Sequence, residues 1–341
     1  MKIVEENIRK HVSFLADPAL KGRQPSTVGS TKALNYIVNE LTRYGYSPIV
    51  EDYKIDLTRE GKQKFAANVY CKILPDRVHA PKFIVVGAHY DHISGSPGAD
   101  DNAVSVAQVL EVARQCREIK LQGYGIYFCF WDCEEPPYFH TKHMGSTTWL
   151  ERHGVDRNID AAIVLDLTGH VPTYPIKNPQ RKIFVTGAET AVGLLDAVIK
   201  DNSGLSAVPL DNKYVGNMSD HHAFEEKKYP FLFLSAGRGK HYHQPTDTIE
   251  NVDYEYAKRV YDYLMFLVIE LVTTRKIDAL PVNKDTFKEI SAGRLQECLP
   301  LLKVNKRTLD EILSSMSYGA STGGIIKLVL KNWFGGFRRF R

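Results

Sequence analysis

Glu134 and Glu135 stand side by side in WDCEEPPYFHTKHMGS (131–146), behind a hydrophobic run and ahead of two prolines. Adjacent residues of a strand face opposite sides, so neighbouring glutamates cannot serve one cavity while the strand runs on. Pro136 and Pro137 have no amide donors for a ladder and force the chain away. At that break both carboxylates can turn to one point, one to bind a metal and one to handle the proton of a water. Taken alone, two glutamates before two prolines also describe a solvated strand exit. The pair has company, however. His89-Tyr90-Asp91-His92 follows FIVVGA, Asp132 precedes the glutamates after YGIYFCFW, and Asp166 follows AAIVL. His241-Tyr242-His243 comes a short loop after FLFLSAG, and SGSPGADDNAV puts Asp100, Asp101 and Asn102 at a helix start. A set of His, Asp and Glu donors suits zinc, or manganese and cobalt.

To bring these residues together the chain needs strands that end at a common edge. Short β-rich runs occur at 68–74, 83–91, 124–132, 161–169, 182–187 and 230–237. Helical spacing appears at Ile3 to Ala16, Thr31 to Tyr44, Ala103 to Arg117, Ser146 to His153, Thr190 to Lys200 and Tyr254 to Thr273. Continuous apolar strands alternating with helices predict an α/β fold, a doubly wound three-layer αβα sandwich with a mostly parallel mixed sheet. In such sheets ligands bind beyond the carboxyl ends of the strands, where the polar residues collect.

A boundary is expected near Lys276, giving a catalytic domain over 1–275 and a helical, basic extension over 276–341. The extension is expected to hold helices at 285–303 and 307–316, a Gly/Ser joint and the aromatic, basic end IIKLVLKNWFGGFRRFR. It carries 12 Lys/Arg against 6 Asp/Glu, whereas the rest carries 32 against 34, so no nucleic-acid-binding body is expected. Its basic end is read as a docked helix with a frayed tail, the alternative being contact with a membrane surface, an acidic partner or nucleic acid. Five cysteines in 341 residues do not make a disulfide framework. No apolar run is long enough to span a bilayer, and the chain shows no signal-peptide core, so a cytoplasmic location is expected.

The motifs GAHYDH (87–92), PGADDNA (97–103), the glutamate pair with a downstream Gly145-Ser146, Leu165-Asp166, SDHHAF (219–224) and HQPTDT (243–248) occur in this order. Together they resemble the co-catalytic zinc aminopeptidases of clan MH, which also contains the animal-type glutaminyl cyclases. The resemblance covers roughly 7–271. It implies two zinc ions held by His89, Asp101, Glu135, Asp166 and His243, with Asp101 bridging and its bond to Asn102 cis. It implies Glu134 as general base and Asp91 as the partner of the His89 imidazole N–H. Charge counting agrees: three carboxylates and a hydroxide balance two divalent cations. The implied reaction is hydrolysis of the N-terminal peptide bond of a peptide with a free amine. Tyr242, next to His243, is the candidate donor to the developing oxyanion, the alternative being a buried core tyrosine.

PPYFHTKHM, between Glu135 and Gly145, is longer than in many members of the family and is expected to project over the cleft, shaping the substrate pocket or packing on the surface. Its His140 and His143, like His92, His170 and His222, are read as ordinary solvated histidines and not as ligands. Asp220 and His221 are expected to brace the site; with Ser219 they cannot form a serine triad, being consecutive. The long loop and DLTGHVPTYP (166–175) also resemble glutaminyl cyclases, so a single-zinc glutaminyl cyclase is an alternative. A non-catalytic receptor or scaffold on the same fold is another.

Overall fold

The computed structural model describes residues 2–57, 63–76, 81–121, 123–154, 158–173, 176–200, 204–273 and 277–298. The strands are β1 (Ile49–Leu57), β2 (Gln63–Ile73), β3 (Phe83–His89), β4 (Gly125–Trp131), β5 (Ile159–Leu165), β6 (Lys182–Thr186), β7 (Ser206–Leu210) and β8 (Phe231–Ser235). The helices are α1 (Lys2–Leu15), α2 (Val28–Arg43), α3 (Val104–Cys116), α4 (Gly145–His153), α5 (Val192–Ile199), α6 (Asn212–Val215), α7 (His221–Glu226), α8 (Tyr254–Thr273) and α9 (Lys284–Cys298). The strands form one mixed sheet in the order β1-β2-β4-β3-β5-β8-β6-β7. Its centre, β4-β3-β5-β8, is parallel, while β1, β2 and β6 bring antiparallel pairings.

The central strands are apolar throughout because both of their faces are covered. Alternate residues go to opposite cores. Ile84, Val86, Ile126, Phe128, Phe130, Ala161 and Ile163 pack with α1, α2, α3, α5 and α8. Val85, Tyr127, Trp131, Ala162 and Val164 pack with Trp149 and Leu150 of α4 and Phe224 of α7. The chain is thus an α/β sandwich of three layers.

Sequence periodicity did not pick out β1 or β7. β1 is an edge strand interrupted by Glu51, Asp52, Lys54 and Asp56; β7 is five residues long, lies at the other edge and contains Pro209, which only an edge tolerates. The runs expected at 83–91 and 161–169 stop earlier, at His89 and Leu165. The residues that follow leave the ladder and are free to turn toward one another. All five cysteines are buried.

Of the 276–341 segment the structure describes α9, which packs against the β7 edge. Phe287, Ala292, Leu295 and Cys298 are buried, and Arg294 reaches Ser206 Oγ (3.4 Å) and the Ile199 carbonyl (3.3 Å). The rest of the helix expected at 285–303, the helix expected at 307–316 and the basic end lie outside the described residues. No described helix is long and apolar enough to cross a membrane.

Candidate metal centre

Four chain breaks at one edge of the sheet build the site: the ends of β3, β4 and β5, and the loop after β8. His89 ends β3, Glu134 and Glu135 lie just past β4, and Asp166 is the first residue after β5. Asp101 sits in a wide turn, Ala99–Ala103, that leads into α3. The Asp101–Asn102 peptide is cis, as is Pro136–Pro137.

The structure brings His89, Asp101, Glu135, Asp166 and His243 together. His89 Nε2 lies 3.5 Å from both Asp101 Oδ1 and Asp166 Oδ1. His243 Nε2 lies 3.2 Å from Asp101 Oδ2 and 3.0 Å from Glu135 Oε2. One donor atom from each of His89, Asp101 and Asp166 falls within 4.8 Å of the others, as does one from each of His92, Asp101 and Glu135. Asp101 belongs to both groups.

The donor set fits cations. His89 Nε2, Asp101 Oδ2, Glu135 Oε1, Asp166 Oδ1 and His243 Nε2 are buried with no hydrogen-bond partner, although each of these residues has a nitrogen or carboxylate oxygen within 3.5 Å of another residue of the site. Atoms that close without hydrogen-bond angles aim at common points between them, and an uncompensated set of this kind is costly unless a positive charge fills it.

His92 corrects the sequence reading. It is fully buried, not solvated. Its Nδ1 lies 3.0 Å from Glu135 Oε1 and 3.9 Å from Asp101 Oδ2, and both ring nitrogens lack hydrogen-bond partners. His92 lies three residues past the end of the buried strand β3, still inside the site. His140, His143, His170 and His222 belong to neither donor group.

The frame around the donors is made by side chains gripping backbone. Asp91 Oδ1 and Oδ2 accept from the amides of Glu134 and Glu135, each at 3.1 Å, fixing both glutamates through one carboxylate. The His89 Nδ1 lies nearer the Asp91 carbonyl (3.2 Å) than its carboxylate (3.5 Å), so Asp91 meets the imidazole mainly through its backbone. Asp247, which sequence reading overlooked, accepts from the amides of Asp100 (2.8 Å) and Asp101 (3.1 Å). Asn102 donates to the Leu165 carbonyl at 3.0 Å, tying the turn to β5.

Burial dominates the electrostatics. It pushes Glu134 well above the ordinary carboxylate range; the His89 charge opposes the shift and Glu135, Asp166 and Asp220 reinforce it. Burial likewise raises Asp166. Asp101 goes the other way: burial opposes its ionisation, but His243 beside it and the charges of His92 and His89 hold it below the usual range. Burial would lower His243, yet the nearby Asp101 and Glu135 carboxylates outweigh it and raise the imidazole to about 10. This is a pocket of negative charge that selects for cations.

Tyr242 stacks on the His243 ring with centroids 3.9 Å apart, and Arg238 lies 4.6 Å over the other ring. Asp220 is buried, burial raises its carboxyl to about 7, and its charge reinforces the rise at Glu134. His221 turns away from the donors: it stacks on Phe233 at 4.1 Å and donates from Nε2 to the Gly216 carbonyl at 3.2 Å. In the loop after Glu135, Tyr138 is buried in a small cluster with Tyr53, Ile55, Ala66 and Cys133. His140 stacks on His222 at 4.1 Å and its Nε2 meets the Asn217 carbonyl. The loop is thus pinned to the segment before α7. His170 pairs with Asp100 at 2.6 Å.

Known proteins share this arrangement of chain. The family model described as Peptidase family M28 matches residues 68–268. An uncharacterized protein, YfbL of Escherichia coli, is 27% identical over 215 residues, covering 54% of this chain and 66% of its own length. Aminopeptidase YwaD of Bacillus subtilis is 26% identical over 212 residues, covering 59% of this chain and 44% of its own. The chain therefore matches just under two thirds and under half of these relatives' lengths. Among solved structures, an aminopeptidase from Aneurinibacillus sp. strain AM-1 superposes with a TM-score of 0.66 at 16% identity, covering 82% of this chain and 96% of that one. A glutaminyl cyclase from Porphyromonas gingivalis gives 0.63 at 20% identity, covering 78% and 98%. At these identities the likeness is one of fold.

Proposed function

Because the chain belongs to peptidase family M28, we propose that it is a metal-dependent aminopeptidase that hydrolyses the first peptide bond of substrates with a free N-terminus. The observation that carries this reading is Asp101 shared between two groups of histidine and carboxylate donors. His89, Asp101 and Asp166 would hold one zinc, and Asp101, Glu135 and His243 a second, with His92 beside Glu135. Divalent cations there would supply the charge that acidifies a water and polarises the scissile carbonyl.

The remaining work falls to side chains. Glu134, its Oε2 3.8 Å from His89 Nε2, takes the proton of the attacking water and delivers it to the leaving amine. Asp91 keeps the glutamate turned inward by holding its amide. Burial raises the Tyr242 phenol, which keeps its proton at neutral pH and can donate to the oxyanion.

Elemental analysis of the purified protein, with a screen of aminoacyl and glutaminyl peptides, tests the proposal. Two zinc ions per chain and release of a free amino acid are expected. One zinc with pyroglutamate formation would replace it with the cyclase reading, and a metal-free, inactive protein would leave the receptor or scaffold.

A further inference from the structure

We infer that Arg23 is a positioning residue that sets the geometry of the metal centre by gripping the backbone behind it. This inference rests on the metal-centre reading. Arg23 lies in LKGRQPSTVGS, a connector between α1 and α2 far from the donors in sequence, yet it is fully buried. A guanidinium has five N–H donors in a rigid plane. Here each has a carbonyl. Nε donates to Tyr90 (2.7 Å), Nη1 to Leu15 (2.6 Å) and Pro97 (2.7 Å), and Nη2 to Gly98 (2.9 Å) and, at its limit, Asp101 (3.5 Å). None of these partners is a carboxylate.

These carbonyls come from three places: the end of α1, the residue after His89, and the loop that delivers Asp101. That loop is held from two sides. Arg23 takes its carbonyls at Pro97, Gly98 and Asp101, while Asp247 takes its amides at Asp100 and Asp101. Placement of Asp101 relative to His89 thus depends on a cation that touches neither side chain. A lysine would keep the charge but offers three donors from one point, and cannot span the three segments.

The test compares wild type, Arg23→Lys and a control of similar lost stability, Leu20→Ala, as full chains titrated with cobalt(II). Metal affinity, the visible absorption of the cobalt centre, and kcat and KM are measured. Lysine is expected to weaken metal binding at least about tenfold, to alter the cobalt bands, and to lower kcat with little change in KM. The leucine control should move none of these. An Arg23→Ala variant is expected to regain affinity when guanidinium ion is added at low millimolar concentration. Wild-type affinity and spectrum in Arg23→Lys would overturn the inference while leaving the metal centre standing. A wild type that binds no cobalt would overturn both.

Discussion

Glu134 and Glu135 are neighbours in the chain with different environments. Glu135 faces His92 and His243 at 3.0 Å, whereas Glu134, among the described histidines, approaches His89, at 3.8 Å. Removing the first should therefore strip chemistry without stripping metal. Glu134→Ala is expected to lower kcat by at least about 100-fold with metal content unchanged by elemental analysis; full activity would end its role as base. His92→Ala is expected to do the reverse, weakening metal binding about tenfold or more in chelator competition. Unaltered affinity would mean that the ring only fills space. The two carboxylates were legible in the sequence because two prolines after a buried run leave them few places to go. His92 was not, because a histidine in a loop has no sequence mark that tells burial from exposure.

At the level of elements, the turn before α3 leaves no room at its glycine. Gly98 has φ +67°, and a Cβ there would lie 2.4 Å from the His92 ring and 2.5 Å from the Asp101 carbonyl. Gly98→Ala is expected to cost at least about 1 kcal/mol of stability from the left-handed backbone alone. It should also weaken metal binding, because His92 and Asp101 must both move. Urea unfolding with and without metal measures the two effects, and a variant with intact affinity would show that the turn tolerates displacement. The central strands were legible as unbroken apolar runs. β1 was not, because an edge strand covered incompletely needs no such run, and β7 was not, because it is five residues long and contains Pro209.

For the molecule as a whole, the layer formed by α4 and α7 depends on a neutral histidine. His221 is buried against Phe231 and Phe233, and burial lowers its imidazole to about 3. The folded state resists a proton that the unfolded chain accepts near 6.5. The stability this site contributes is complete above pH 6.5 and is lost progressively as pH falls toward 3. Between pH 7 and 5 the loss is about 2 kcal/mol, at 1.36 kcal/mol per unit. His221→Gln, which keeps a donor for Gly216, is expected to lose about 2 kcal/mol less than wild type over that interval in urea unfolding. Equal losses would refute the assignment. The opposite edge of the molecule is closed by α9, whose Phe287 and Leu295 are buried.

By itself the sequence determined the α/β layering, since a strand covered on both faces must be apolar at every position, and it determined the order of the polar strand ends. It also fixed where the chain could not continue as sheet, at Pro136. Only the tertiary structure decided which ends meet, that Asp101 stands in two donor groups, and that Arg23 and Asp247 hold its loop from opposite sides. Those contacts join residues far apart in the chain through backbone groups, and a backbone carbonyl is the same at every residue.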